Sequence, residues 1–473
     1  MRPPGLPCQG MRPIEAPETD PYPAQRTEPA TSMHRQHRPI VYARYSRIGA
    51  SRLRRQILFL AGGIGVGIAA VLMARAADLA QTAFRAGTAS FHWLPLVATP
   101  AGFALSCFLA RRLFPGSQGS GIPQVIAARK LPPTEASGHL VSLRIAGGKI
   151  LLMLLGLLMG GSLGREGPTV QVGAAIMQAA GRFASINRSS LLLAGGAAGV
   201  AAAFNTPLAG IVFAIEELSR SFDSKASGIV IMTVMLAGLT AQVLLGDYTY
   251  FGSSYLTLAP GLAWLAIPIV AIVGGTLGGL FNRLNVTWSR GLPGQAGNFI
   301  RRHPVGTAAL LGVVVALAGF ASGSDVSGTG YEAARAAIHQ MPADIGLWYG
   351  PAKLVATLAS TLSGIPGGIF SPSLSIGAGL GLDVAHFLDA NAASAIALLG
   401  MCAYLAGVVQ APLTSVVIVQ EMTLNHSMLL PLMLVALIAG KVSSFIAPEG
   451  VYHALARNFA ITPPSADSPR DSG

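Results

Sequence analysis

Charge is what this sequence most lacks. Only 11% of the 473 residues are Asp, Glu, Lys or Arg and 52% are hydrophobic, against about 25% charged in soluble domains. That scarcity excludes an ordinary water-soluble domain and leaves a polytopic membrane protein. Cysteine is nearly absent as well. Cys8, Cys107 and Cys402 have no paired spacing, and two of them lie in apolar segments. A disulfide framework and a thiolate metal site are therefore excluded, and no metal or cofactor is expected. The first 47 residues lack a continuous apolar run, so no signal peptide is expected there. They hold nine of the 31 prolines and several arginines, which predicts a disordered, basic cytoplasmic tail. His34 and His37 in that tail lack a third ligand and read as solvated side chains.

The net charge of +12 is placed for a membrane, not for nucleic acid. Arg44, Arg47, Arg52, Arg54 and Arg55 crowd the N-terminal side of the apolar run that starts at Ile57. By the positive-inside rule this puts the N-terminus in the cytoplasm.

What is plentiful is glycine and proline, 57 and 31 residues. They break spanning helices, and broken or re-entrant helices survive in a bilayer only where protein or an internal cavity covers the freed backbone. Apolar segments cover about 57–83, 93–113, 145–163, 228–246, 262–283, 305–320 and 427–446. Shorter Gly-rich pieces lie at 166–182, 189–203, 207–219, 370–386 and 412–424, several below the ~20 residues of a straight span. The two halves resemble each other. Pro207 and Glu216 recur as Pro412 and Glu421 at an offset of 205, and Pro168 and Gly173 recur as Pro372 and Gly377 at 204. Interrupted helices in corresponding places of two halves point to a transporter whose substrate site lies between them. The expected organisation is a tail (1–47), a first half (48–250), a second half (251–460) and a short C-terminal tail (461–473). The fold class is all-α, built from tilted, broken and re-entrant helices in two inverted-topology halves.

Gly164-Arg165-Glu166-Gly167-Pro168 places a carboxylate directly after an apolar stretch, at the start of another helix. An ionisable group at bilayer depth costs at least ~2.5–3.5 kcal/mol and marks function by default. Pro168 suits a first helical turn, and such a turn aims unpaired amides and a positive dipole end at a nearby anion. Glu166 is itself an anion tethered beside that position, which is the logic of a gate competing with its substrate. Three further segments stand out: Gly119-Ser120-Gly121-Ile122-Pro123, Gly368-Ile369-Phe370-Ser371-Pro372, and Tyr452. Taken singly, Ser120 reads as a helix cap and Tyr452 as an interfacial belt residue.

In this order and spacing the series resembles the CLC family of chloride channels and chloride/proton antiporters, over about residues 50–460. The resemblance implies a central anion site made by the hydroxyls of Ser120 and Tyr452 and the amides of Ile369 and Phe370. It implies an outer site from the amides around Arg165, Glu166 and Gly167, which the Glu166 side chain can occupy as gate and proton acceptor. Glu217 matches the family's internal proton-relay glutamate, usual in antiporters and usually absent from channels. Beside it, Glu216 reads equally as a supporting acid or as a solvated helix end near Arg220. Lys149 matches a buried lysine that biases the potential around the anion path, and Glu421 reads as structural. Gln124 stands where relatives often carry glutamate. The chain is too short after Phe459 for the paired cytoplasmic nucleotide-binding modules of larger relatives, so ATP regulation through them is not expected.

The expected function is exchange of chloride for protons, with a passive chloride channel of the same fold as the alternative. Ser120 suits chloride over nitrate, and fluoride is a distant third. An intramembrane enzyme is disfavoured: in Gly379–Asp383 the aspartate falls one residue too late for a protease motif, and neither HExxH nor a serine elbow GxSxG is expected. The glycine run Gly62–Gly67 has no strand before it and reads as helix packing, not a dinucleotide loop. Expected partners are chloride, protons, the lipid bilayer and a second copy of the chain in a homodimer with one pore per subunit. The expected location is a bacterial inner membrane.

Overall fold

The structure is a computed structural model that describes residues 38–132, 138–183, 186–219, 224–246, 249–258, 261–339 and 345–461. It divides into two units, Met1–Ala50 and Ser51–Gly473. In the first, the described residues are helical from Arg38 onward, inside the segment expected as a tail. Pro39 occupies the first turn of that helix, where its missing N–H costs nothing. Residues 1–37 and 462–473, with His34 and His37, lie outside the described residues, as does Arg220.

Eighteen α-helices, two short 3-10 helices, one π-helical turn and two isolated backbone bridges make up the regular structure of the described residues. The α-helices are α1 Arg38–Ser90, α2 Leu94–Arg112, α3 Ile122–Lys130, α4 Leu143–Leu158, α5 Glu166–Gly181, α6 Arg188–Phe204, α7 Pro207–Phe213, α8 Ser224–Leu245 and α9 Ala266–Arg290. There follow α10 Gly294–Arg302, α11 Pro304–Ser322, α12 Tyr331–His339, α13 Tyr349–Leu362, α14 Phe370–Leu388, α15 Ala393–Val409, α16 Pro412–Thr423, α17 Leu429–Ile446 and α18 Val451–Ile461. Helix α7 runs into a π-helical turn, Ala214–Ser219. Seven helices among the described residues are long and apolar enough to cross a bilayer. The chain is an integral membrane protein of all-α architecture.

Five helices match the expected Gly-rich pieces: four have a proline in the first turn, and α6 is capped by Asn187, whose side chain accepts from Ser189 N. Pro207 and Pro412 sit in the first turns of α7 and α16. The expected span 145–163 is shorter, since α4 ends at Leu158 ahead of Gly160 at φ +81°. Helix α15 was not anticipated. With Ala390–Ala392 it forms a 20-residue apolar span, 89% buried within the protein.

The repeat is physical. Helices α5 and α6 cross at Gly173 and Gly195, α14 and α15 at Gly377 and Gly400, and a Cβ on any of the four would strike the facing glycine's carbonyl. Asn205 and Gln410 cap α6 and α15 in the same left-handed conformation, φ 56° and 58°. Each pair of crossing helices thereby delivers one short helix start, α5 or α14, to the middle of the molecule.

Candidate anion site at converging helix starts

Three helix-leading loops are stapled to one another. Gly164 and Gly368 exchange backbone hydrogen bonds of 2.7 Å, N–H to carbonyl each way. Gly119 N–H donates to Ile365 O at 3.3 Å, and Gly367 N–H to Gly119 O at 3.1 Å. The starts of α3, α5 and α14 therefore meet as one unit. Gly167 is required at the junction, because a Cβ there would strike Ser120 Oγ and lie 2.8 Å from Ser120 O and 3.2 Å from Gly368 Cα. Gly121, at φ +106°, caps α3 and turns the Ser120 loop toward this point.

Ser120, Ile369 and Tyr452 line one cavity of about 500 Å³, and Arg165 lines a separate one of about 390 Å³ with Arg75, Asp78 and Arg85. Ser120 Oγ and Tyr452 Oη are both buried and lie within reach of each other, and among the described residues no well-formed hydrogen bond satisfies either. Orphaned buried hydroxyls cost about 1–3 kcal/mol each unless a ligand satisfies them. The Phe370 ring stacks on Tyr452, centroids 5.8 Å apart, and meets the edges of Phe204 and Phe213. This aromatic cluster holds the phenol in place and presents no competing donor.

Glu166 is the first residue of α5 and has no exposed surface. Ser371 Oγ, in the first turn of α14, donates to its carboxylate at 2.5 Å. The carboxylate thus bridges the two helix starts while lining neither cavity. Arg165 donates to Ala74 O at 3.0 Å and pairs with Asp78 at 2.7 Å. Helix starts offer an anion partial charges, which permit release, where a bare lysine would hold it too tightly.

Lys149 is fully buried and donates to Gly119 O at 2.9 Å, so it braces the Ser120 loop. Lys353 escaped the sequence reading. It is equally buried, donates to the carbonyls of Val326, Ser327 and Gly328 at 2.8–3.0 Å, and follows Lys149 by the repeat offset of 204. Gln124 spends its amide on the carbonyls of Gly116 and Gln118. The Ser371 contact to Glu166 was also missed, and nothing in the sequence signals it beyond the serine's place after Phe370.

Glu217 is buried in the π-helical turn. Tyr452 lies within electrostatic reach of both Glu217 and Glu166. His453, one residue on, touches Glu217 and was overlooked; a titratable residue directly after Tyr452 was the available signal. Glu216 is not a solvated helix end. Its carboxylate accepts from Leu413 N (3.2 Å), Thr414 N (2.6 Å) and Thr414 Oγ1, capping α16. Glu421 does the same for α7, accepting from Leu208 N at 3.1 Å and Ala209 N at 2.8 Å. The repeat mates cap each other's helices. Glu216→Ala and Glu421→Ala are expected to lower stability by similar amounts, about 1–2 kcal/mol each, read as melting in detergent.

The expectation that no serine elbow occurs is corrected: Gly160-Gly161-Ser162-Leu163-Gly164 has that spelling. The structure gives it no such role: Ser162 Oγ pairs with Thr357 Oγ1 at 2.8 Å and follows a helix, not a strand. No group of three or more His, Cys, Asp or Glu suited to a metal occurs among the described residues.

Paired helix starts that converge on a buried carboxylate in a helical membrane protein are the arrangement expected of a gated anion path. The family described as voltage gated chloride channel matches residues 102–444, and the chain belongs to that family, the CLC proteins. It is 32% identical over 434 residues to an H(+)/Cl(-) exchange transporter, ClcA, of Yersinia pestis, covering 85% of this chain and 88% of the relative. The corresponding Klebsiella pneumoniae transporter is 31% identical over 424 residues, covering 84% and 87%. A solved slow cyanobacterial Cl-/H+ antiporter superposes with a TM-score of 0.72 at 27% identity, over 86% of this chain and 99% of that one. A CLC-type fluoride/proton antiporter, at 24% identity and a TM-score of 0.69 over 84% and 96%, shares the fold.

Proposed function

We propose that this protein exchanges chloride for protons across a bacterial inner membrane, with its N-terminus in the cytoplasm. The observation that carries the reading is Glu166, a fully buried carboxylate docked on Ser371 at the meeting of two helix starts. Ionised, it competes with chloride for the amides of Arg165, Glu166 and Gly167. Protonated, it loses that competition, and chloride enters between Ser120, Tyr452 and the amides of Ile369 and Phe370. One carboxylate serving both ions links their movements. The half 48–250 supplies the starts of α3 and α5 and the half 251–460 that of α14, Lys149 supports the site from behind, and Glu217 passes protons between Glu166 and the cytoplasm. No cofactor is needed, and nothing in the geometry calls for catalysis of a covalent reaction. A homodimer with one pore per subunit completes the reading. The exchange names of the relatives support coupled transport over a passive channel.

The test is reconstitution in liposomes under a chloride gradient while internal pH is recorded. Wild type is expected to drive protons uphill, and Glu217→Ala is expected to lose that movement by about a hundredfold, the scale of a positioned proton-transfer group, while chloride still flows. Chloride flux in wild type without uphill protons would make the protein a channel.

A further inference from the structure

We propose that His453 is a second member of the internal proton relay, exchanging protons with Glu217 on its cytoplasmic side. This rests on the reading of Glu217 as a proton carrier. Helix α18 presents Tyr452, Leu455 and Phe459, at helical spacing, to the anion cavity, and His453 is not part of that lining. One residue's turn of about 100° sends His453 to a different side of the helix, where it is buried against the π-helical turn. Its Nε2 lies 2.7 Å from the main-chain oxygen of Glu217 and 3.6 Å from Oε1 of the same residue. A carbonyl only accepts, so the ring nitrogen facing it carries a hydrogen. That hydrogen is already poised between the carbonyl and the carboxylate.

The surroundings single out Glu217 as the exchange partner. Arg129, on α3, donates to Leu218 O and reaches Ser219 Oγ at 3.5 Å, keeping a fixed cation at the same turn. Glu216 is spent capping α16. On the α9 side, Arg283 and Arg290 share a separate groove with Glu449 and Arg457, and Tyr404 is buried on α15. The histidine therefore meets a turn that holds both a carboxylate and a fixed positive charge, on a side of α18 other than the one that lines the chloride route. Imidazole is the side chain suited to shuttling protons near neutral pH. The transfer balances. A proton from the cytoplasmic side enters at Nδ1 and makes an imidazolium; the Nε2 proton then passes to Oε1, leaving a neutral imidazole and a neutral carboxylic acid. The reverse step carries protons outward.

The experiment compares wild type, His453→Gln and Glu217→Gln in liposomes, reading the ratio of proton to chloride flux over a range of internal pH. Glutamine can still donate to the Glu217 carbonyl but cannot titrate. His453→Gln is expected to lower the ratio by about tenfold or more and to flatten its dependence on internal pH. An unchanged ratio and pH profile in His453→Gln, with the ratio lost in Glu217→Gln, would overturn the role of His453 alone. A ratio retained in both would overturn the Glu217 reading and this inference with it. Should His453→Gln give no chloride flux, histidine NMR of wild type and Glu217→Gln in bilayers decides. A His453 titration that moves when Glu217 is neutralised supports the relay, and one that does not move overturns it.

Discussion

Glu166→Gln is expected to carry chloride without protons, and to do so at a rate that no longer depends on pH. The substitution keeps the volume of the side chain and leaves an oxygen to accept from Ser371 Oγ, which lies 2.5 Å from the native carboxylate. What it removes is the charge. Two unit charges 4 Å apart repel by about 4 kcal/mol at an effective dielectric of 20, so a carboxylate at the site excludes chloride about a thousandfold and an amide does not. In wild type, protonation relieves that exclusion, and chloride flux should rise by up to about tenfold per pH unit on the alkaline side of the gate's titration. The variant should give one flat rate over the same range and proton movement at background. Ion-selective-electrode recordings of chloride efflux from liposomes, with a pH electrode in parallel, read both quantities. Uphill proton movement in the variant would show that the gate and the proton acceptor are different groups.

Much of this gate was legible in the sequence because its parts are local. A proline in the opening turn, glycines before it and an apolar run behind it define a helix start, and such starts recur at Pro168 and Pro372 and again at Pro207 and Pro412. The repeat offset then pairs them without any knowledge of their packing. The elements that escaped have the opposite character. Helix α15 is apolar on all sides, so periodicity gives it no face and no boundary. Helix α13 carries Lys353, Thr357 and Ser360, all buried, and their polarity disguises a helix that packs inside the protein. Lys353 was reachable, since Lys149 and the offset of 204 point straight at it.

Other features depend on tertiary contact and leave no local trace. The offset identifies Glu216 and Glu421 as mates, but only packing reveals that each caps the other's helix. A carboxylate near the end of a short helix reads as solvated until a facing helix start is brought to it. The same holds for Ser371, whose hydroxyl finds Glu166 only because the Gly164–Gly368 bridge joins two segments some 200 residues apart.

Gly167→Ala should abolish chloride transport through one added carbon. The native glycine occupies the second position of α5, a place where alanine is normally the better helix former by about 1 kcal/mol. Here the Cβ would run into Ser120 Oγ and press on Ser120 O and on Gly368 Cα, two of the three being parts of loops stapled by backbone hydrogen bonds. Backbone cannot yield as a flexible side chain does, so overpacking should cost about 1–3 kcal/mol. The larger consequence is functional. Relief requires the starts of α3, α5 and α14 to separate, and a displacement of the order of 1 Å in a positioned site costs about a hundredfold in rate. Gly147→Ala supplies the matched control: it lies within α4, and a Cβ there meets nothing within 4 Å. That variant should transport as wild type does and melt slightly higher. If Gly167→Ala retains chloride flux while Gly147→Ala does the same, the three helix starts are not held as rigidly as their bridges imply. Loss in Gly167→Ala alone, with a melting temperature only modestly reduced, would place the anion path at the junction of the two halves.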